Sequence, residues 1–257
     1  MNHSQPELNK LQRRFFEEDI KRQLHYLQHP LHRYQKERRY MHAIEMAQIN
    51  ETDTILEVGC AIGYQIPLIV GKCKKYVGID FSESAIKLNR KRNKSPKVKV
   101  LCMDARKIKF KKNLFDVVLL IDVIEDLYDQ EKVLSQIKKV LKPGGRLVVS
   151  APNEKSLYGL AKNIWNKPKW FDRSIVPPIH RWYDKNLLIE ILSKHGFIVT
   201  DVRGSFFLPP FFTGKRYLIP SYKIIPKIYN FFENFLSRSI KSLGYHIIIC
   251  AKNSENA

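Results

Sequence analysis

Cysteine is scarce in this 257-residue chain, and the four that exist are scattered. Cys60, Cys73, Cys102 and Cys250 form no Cys-x-x-Cys pair, so neither a zinc site nor a disulfide framework is expected, and a reducing cytoplasm fits best. No apolar run reaches the roughly 18 residues of a membrane-spanning helix. Met1–Lys10 is polar and lacks the apolar centre of a signal peptide. Internal repeats and low-complexity tracts are absent. Acidic residues are also few, 25 against 45 Lys and Arg, which leaves a net charge of +20.

That charge is uneven. Between Lys72 and Lys112 lie 15 Lys/Arg and three acids (Asp80, Glu83 and Asp104), a local +12. Such a segment attracts anionic partners: nucleic acid, a phospholipid surface or a phosphorylated substrate. The plainer reading is a solvated basic face.

Residues 1–50 read as a helical arm of two helices broken near His29-Pro30, with Leu8, Leu11, Phe15, Ile20, Leu24 and Leu27 at roughly helical spacing. Strands and helices then alternate. Strands are expected at Thr54–Val58, Tyr76–Ile79, Val98–Cys102, Phe115–Ile121, Arg146–Ser150, Phe197–Val202 and Tyr245–Ala251. Helices are expected from Ser82 to about Arg92, over Gln130–Leu141 up to Pro143-Gly144-Gly145, and over Asn186–His195 up to Gly196. The pattern predicts an α/β fold: a mostly parallel, seven-stranded Rossmann-like sheet with helices on both faces and the last strand antiparallel. The core is assigned to 51–203 and 244–253. Two segments break the rhythm: Pro152–Tyr183, aromatic and proline-bearing, and an aromatic insertion at 204–243. Long insertions in compact domains are usually lids or binding loops.

The most informative stretch is Ile55-Leu56-Glu57-Val58-Gly59-Cys60-Ala61-Ile62-Gly63, an apolar strand ending in a carboxylate and followed by a Gly-x-x-x-Gly turn. A second strand ends at Asp80, about one βαβ half-unit later, where a carboxylate meets a ribose. The pair points to an adenosine-bearing cofactor. The nicotinamide fingerprint Gly-x-Gly-x-x-Gly is not there, because Ala61 stands at its middle glycine. Further elements follow in order: Cys102-Met103-Asp104-Ala105, the strand Phe115–Ile121 running into Asp122-Val123-Ile124-Glu125-Asp126-Leu127, and Leu141-Lys142-Pro143-Gly144-Gly145-Arg146-Leu147. With these, residues 38–203 and the last strand resemble the class I S-adenosylmethionine-dependent methyltransferases, enzymes that use S-adenosyl-L-methionine.

The resemblance implies roles. Glu57 and the turn Gly59, Cys60, Ala61 and Gly63 would hold the methionine portion. Asp80 would accept from both ribose hydroxyls, and Phe81 would lie along the adenine. Asp104 would accept from the adenine amino group beside the Ala105 backbone. Ile121 would border the cofactor, and Asp122 would stand near the sulfonium end and the substrate. Many relatives have His where this chain has Asp126, a weaker base.

A hydroxyl acceptor needs a base, and His180 is the favoured one. It lies in Pro177-Pro178-Ile179-His180-Arg181-Trp182-Tyr183, a loop at the carboxyl ends of the strands, where ligands bind in such folds. The alternative is a loop histidine bonding backbone. The Asn/Asp-Pro-Pro-aromatic signature of amino-group nucleic-acid methylases and the Pro-Cys of cytosine-C5 enzymes are both missing. A small-molecule or lipid-linked acceptor is therefore favoured over nucleic acid. Two readings stay beside it: a methyltransferase acting on a glycan or nucleotide-sugar, and an RNA-binding or RNA-methylating protein using the Lys72–Lys112 face. In the insertion, Tyr222, Ile225, Ile228, Tyr229, Phe232, Phe235, Leu236 and Ile240 recur at helical spacing among Lys223, Lys227, Arg238 and Lys241. Such a helix is either a substrate lid or a peripheral contact with an anionic membrane surface. Oligomeric state and the atom methylated are left open.

Overall fold

In this computed structural model, the residues described are 5–160, 176–207, 224–240 and 243–254. Three helices lead in: α1 (Gln5–Glu18), α2 (Ile20–Tyr26) and α3 (Pro30–Met46). The sequence suggested two. The extra break falls at Asp19, whose side chain accepts from Arg22 and Gln23. At the second break Pro30 occupies the first turn of α3, where its missing N–H costs nothing, and His29 caps it by accepting from Leu31 N at 3.3 Å.

The core then runs β1 (Thr54–Val58), α4 (Ile66–Ile69), β2 (Lys75–Asp80), α5 (Glu83–Arg92), β3 (Val98–Cys102), β4 (Phe115–Ile121), α6 (Gln130–Val140), β5 (Leu141–Pro152), α7 (Lys185–Lys194), β6 (Phe197–Ser205), α8 (Ile224–Ser239) and β7 (His246–Asn253). The seven strands are ordered β3-β2-β1-β4-β5-β7-β6, and β7 alone runs antiparallel, against both β5 and β6. Lys142-Pro143-Gly144-Gly145 does not simply separate helix from strand. Leu141 already pairs with Phe115, and a register shift absorbs the extra residues before Arg146 pairs with Val117.

Alternating strand residues feed two cores, as a sheet covered on both faces requires. One joins Leu56, Val118, Leu120, Val149 and Ile249 to α6 and α7 through Val133, Ile137, Leu188 and Leu192. The other joins Ile55, Val117, Leu119, Val148 and Ile248 to α3, α4 and α5 through Tyr40, Ile44, Ile66, Ile69 and Ile86. α8 packs on α3 and β6, with Tyr229 against Leu31, Tyr34 and Phe206. Trp165, Trp170 and Phe171 of the first irregular segment, and Pro209–Tyr222 of the second, lie outside the described residues.

Glu57 ties the second core together. It is fully buried and accepts from Tyr40 Oη of α3 (2.6 Å), Gln65 Nε2 before α4 (2.6 Å) and Tyr76 Oη of β2. Burial pushes its carboxyl above the usual range, and the three donors oppose that rise. Glu57→Ala would strand three buried donors. Chemical denaturation should show a loss of about 3 kcal/mol or more, and an unchanged midpoint would refute this role.

Candidate active site

The cleft opens where the carboxyl ends of β1, β2 and β4 meet the N-terminal arm. Its walls include Gly59, Ala61, Asp80, Phe81, Met103, Ala105, Ile121, Asp122, Asp126 and Leu127, with Phe16, Gln23, Lys36 and Tyr40 from the arm. The turn after β1 is wound by left-handed residues: φ is +78° at Gly59, +43° at Ala61 and +69° at Gly63. A Cβ on Gly59 would lie 2.3 Å from Val123 Cγ2, so only glycine allows the close passage beneath β4. Ala61 accepts its unusual φ because its N–H donates to Asp80 Oδ2 at 2.9 Å. The other oxygen of Asp80 accepts from Ser82 N at 2.9 Å, and Ser82 caps α5 by accepting from Ala85 N. Asp80 thus fixes two turns and retains lone pairs toward the cleft. Burial raises its carboxyl, against the pull of those N–H donors.

Four of the expected cofactor residues stand behind the wall rather than on it. Glu57 is fully buried and turned to its three donors. Cys60 is buried below the turn, and Gly63 faces Asn89. Asp104 is turned to Arg106, which donates to it from Nε (3.0 Å), Nη2 (2.6 Å) and the backbone N–H (2.9 Å). Burial would raise Asp104, but these bonds hold it below the ordinary carboxylate range. Its neighbours Met103 and Ala105 face the cleft instead.

Asp122 sits at φ +56°, just past β4. Its carboxylate accepts from Arg39 Nη2 and from Ser150 Oγ (2.9 Å), and its own N–H donates to that same Oγ. Arg39 also contacts His246 Nδ1 at 3.2 Å. Because a guanidinium only donates, Nδ1 accepts and the imidazole proton lies on Nε2, 3.7 Å from Asp122 Oδ1. Burial and Arg39 keep His246 neutral, far below its usual pKa. Burial opposes ionisation of Asp122, but Arg39, His246 and Ser150 overcome it, so Asp122 is anionic. His180 and Asp126 come together: Nδ1 lies 2.8 Å from Asp126 Oδ1. Burial raises Asp126, and the His180 bond opposes that. α1 closes over this end. Gln12, nearly buried, donates to the carbonyls of Asp126 (3.1 Å) and Ile179 (3.2 Å) and accepts from Ile179 N (3.0 Å). Phe16 meets Phe81 edge-on at 5.9 Å.

With that geometry fixed, comparison with known proteins is informative. Residues 56–149 match the model of a methyltransferase domain. Over this segment the chain is similar to S-adenosylmethionine-dependent methyltransferases. Its cofactor is S-adenosylmethionine. A probable S-adenosylmethionine-dependent methyltransferase of Mycolicibacterium smegmatis is 30% identical over 59% of this chain and 54% of its own length. The demethylmenaquinone methyltransferase of Lactococcus lactis is 28% identical over 58% of this chain and 67% of its own length. The fold matches a solved S-adenosylmethionine-dependent methyltransferase from Thermotoga maritima at a TM-score of 0.63 and 17% identity, over 95% of this chain and 100% of that one. The chain spans about half the length of the first of these relatives.

The residues present suit the cofactor. Asp80 offers a carboxylate to ribose hydroxyls, Phe81, Met103, Ala105 and Leu127 offer apolar walls to a base, and the Gly59 turn brings backbone close. Lys36 lines the same cleft, with no hydrogen bond or ion pair among the described residues. Burial depresses its ammonium while Asp122 and Glu57 favour its charge. It suits a carboxylate such as that of the methionine portion. Lys36 and Arg39 were not singled out in the sequence, because Lys36-Glu37-Arg38-Arg39 reads as a solvated helix face. The signal available was their position one helix before the Glu57 strand.

Asp80→Ala should weaken S-adenosylmethionine binding by about 100-fold, two hydrogen bonds to charge being lost, and calorimetry showing unchanged affinity would remove Asp80 from the site. Lys36→Met should weaken S-adenosylmethionine by about tenfold and leave 5′-methylthioadenosine, which lacks the carboxylate, unaffected. Equal losses for both ligands would count against that pairing.

Proposed function

We propose that the protein transfers a methyl group from S-adenosylmethionine to a hydroxyl of a small, hydrophobic or lipid-linked acceptor. The observation that carries this reading is the His180–Asp126 pair at 2.8 Å, whose Asp126 lines the same cleft as Asp122. The cofactor, when bound, supplies an electrophilic methyl on a sulfonium. Everything else falls to the chain's residues.

Asp126 accepts the Nδ1 proton of His180, which leaves Nε2 free to take the proton of an acceptor hydroxyl. The imidazolium so formed is stabilised by the adjacent carboxylate, as a base-orienting acid does in hydrolytic triads. Asp126 therefore serves as the orienter of the base rather than as the base. Asp122, kept ionised, would favour the positive charge of a bound sulfonium. Gln12 and Phe16 stand over the site from α1.

A cluster of aromatic rings packed against His180 supports a hydrophobic acceptor. Trp182 meets His180 edge-on at 6.3 Å and Tyr245 at 5.8 Å, and Tyr245 stacks on Tyr158 at 4.1 Å. The Lactococcus relative, by its name, acts on demethylmenaquinone, a hydrophobic acceptor.

His180→Ala should lower turnover by about 10²–10⁴-fold while S-adenosylmethionine affinity stays unchanged. A variant that keeps full turnover in a methyl-incorporation assay with a membrane-lipid or metabolite extract would remove His180 as the base. Asp126→Asn should lower turnover by a smaller factor, since the imidazole loses its orienting carboxylate but remains.

A further inference from the structure

We propose that the side of the sheet carrying α3, α5 and α8 docks on an anionic phospholipid bilayer. In this arrangement α8 seats its phenylalanines among the lipids and the α5–β3 edge lies over the headgroups. The inference rests on the methyl-transfer reading only in giving a lipid-linked acceptor its route to the site.

α8 has two unlike faces. Tyr229, Glu233 and Ser237, four residues apart, turn inward and are buried. Phe231, Phe232 and Phe235 turn outward, 79%, 54% and 70% exposed. Burying such a patch removes apolar surface from water, and isolated soluble chains seldom leave it bare. The one carboxylate of the helix, Glu233, is withdrawn into the protein, where Oε1 accepts from Phe206 N at 2.6 Å. The outward face therefore carries no negative charge.

The second signal is electrostatic. Of the 15 Lys and Arg between Lys72 and Lys112, all but Arg106 are exposed, and none of those 14 has a salt bridge among the described residues. α5, which bears Lys87, Arg90, Lys91 and Arg92, packs through Ile86 into the same core as α3, and α8 packs on α3. The cations of α5 thus stand on the same side of the sheet as α8, while Lys107, Lys109, Lys111 and Lys112 flank Ile108 and Phe110 of the other core. An apolar contact together with a polybasic patch is what stable, reversible membrane association requires. A second copy of the chain fits less well, because two surfaces with net charge +20 repel.

The position of α8 gives docking a consequence. Phe206 packs on Tyr229 at 6.0 Å and on Tyr158 at 6.3 Å, Tyr158 stacks on Tyr245, and Tyr245 leads through Trp182 to His180. Rings run without a break from the docking helix to the base.

Flotation with vesicles of phosphatidylcholine, alone or with roughly 30 mol% phosphatidylglycerol, tests this with the full chain. The unaltered protein should float with the anionic vesicles. Phe231→Ser, Phe232→Ser and Phe235→Ser together should cut that binding at least about tenfold. Lys87→Gln, Lys91→Gln and Lys94→Gln together should cut it severalfold and flatten its fall as salt rises from about 0.1 to 0.5 M. Should the phenylalanine variant not fold, Phe235→Ser alone carries the test, with about a threefold loss expected. Unchanged binding of the phenylalanine variant overturns the proposal. So does a wild-type protein that ignores vesicles, whether it instead dimerises through α8 or binds single-stranded RNA. His180→Ala should float normally, so failure of docking and failure of the catalytic reading are separable.

Discussion

The buried carboxyl of Glu57 is the constraint on which the site depends. A carboxyl without partners at that depth would be costly. Three donors from three elements meet it, so α3, the segment before α4 and β2 are held in fixed relation to β1. The turn that starts two residues later inherits that rigidity. Asp80 then locks the turn from the neighbouring strand by holding Ala61 N. The cleft is thereby preorganised by residues that stand behind its wall.

A second buried set does for the acceptor end what Glu57 does for the turn. Arg39, reaching from α3, meets Asp122 after β4 and His246 in β7, and Ser150 in β5 donates to the same Asp122. Its charge keeps Asp122 ionised despite burial and His246 neutral. Two His–Asp pairs therefore stand near one another in different electrostatic states. Asp122 with His246 holds a fixed negative charge, and burial raises Asp126 against the pull of its bond to His180. The N-terminal arm is a working part of both, through Arg39 beneath and Gln12 and Phe16 above.

Much of the fold was legible in the sequence, because strand alternation, Gly-rich turns and helix caps are local signals. Thr54–Val58, Val98–Cys102 and Phe115–Ile121 carry their apolar runs and bounding breakers within a few residues. The break at Asp19 is hidden in the sequence because no proline or glycine marks it and Asp19 itself keeps helical backbone angles. Leu141 was read as helix because its pairing with Phe115 is a long-range contact. Within the site, the cleft-facing positions Gly59, Asp80, Phe81 and Asp122 follow from strand ends. Arg39, Lys36 and His246 do not, since nothing in a charged helix or a terminal strand says which residue turns inward.

The sequence by itself determined the order of strands and helices, the left-handed turn at Gly59 and the adenosine-binding character of the strand ends, because each is written in neighbouring residues. Only the tertiary structure decided that Asp126 is the partner of His180, since 54 residues separate them in the chain. It also decided that Glu57 and Asp104 spend their carboxylates on the protein itself and that Glu233 leaves the outer face of α8 bare of charge. In each case the physical reason is the same. A carboxylate's role depends on which donors reach it, and those donors arrive from distant parts of the chain.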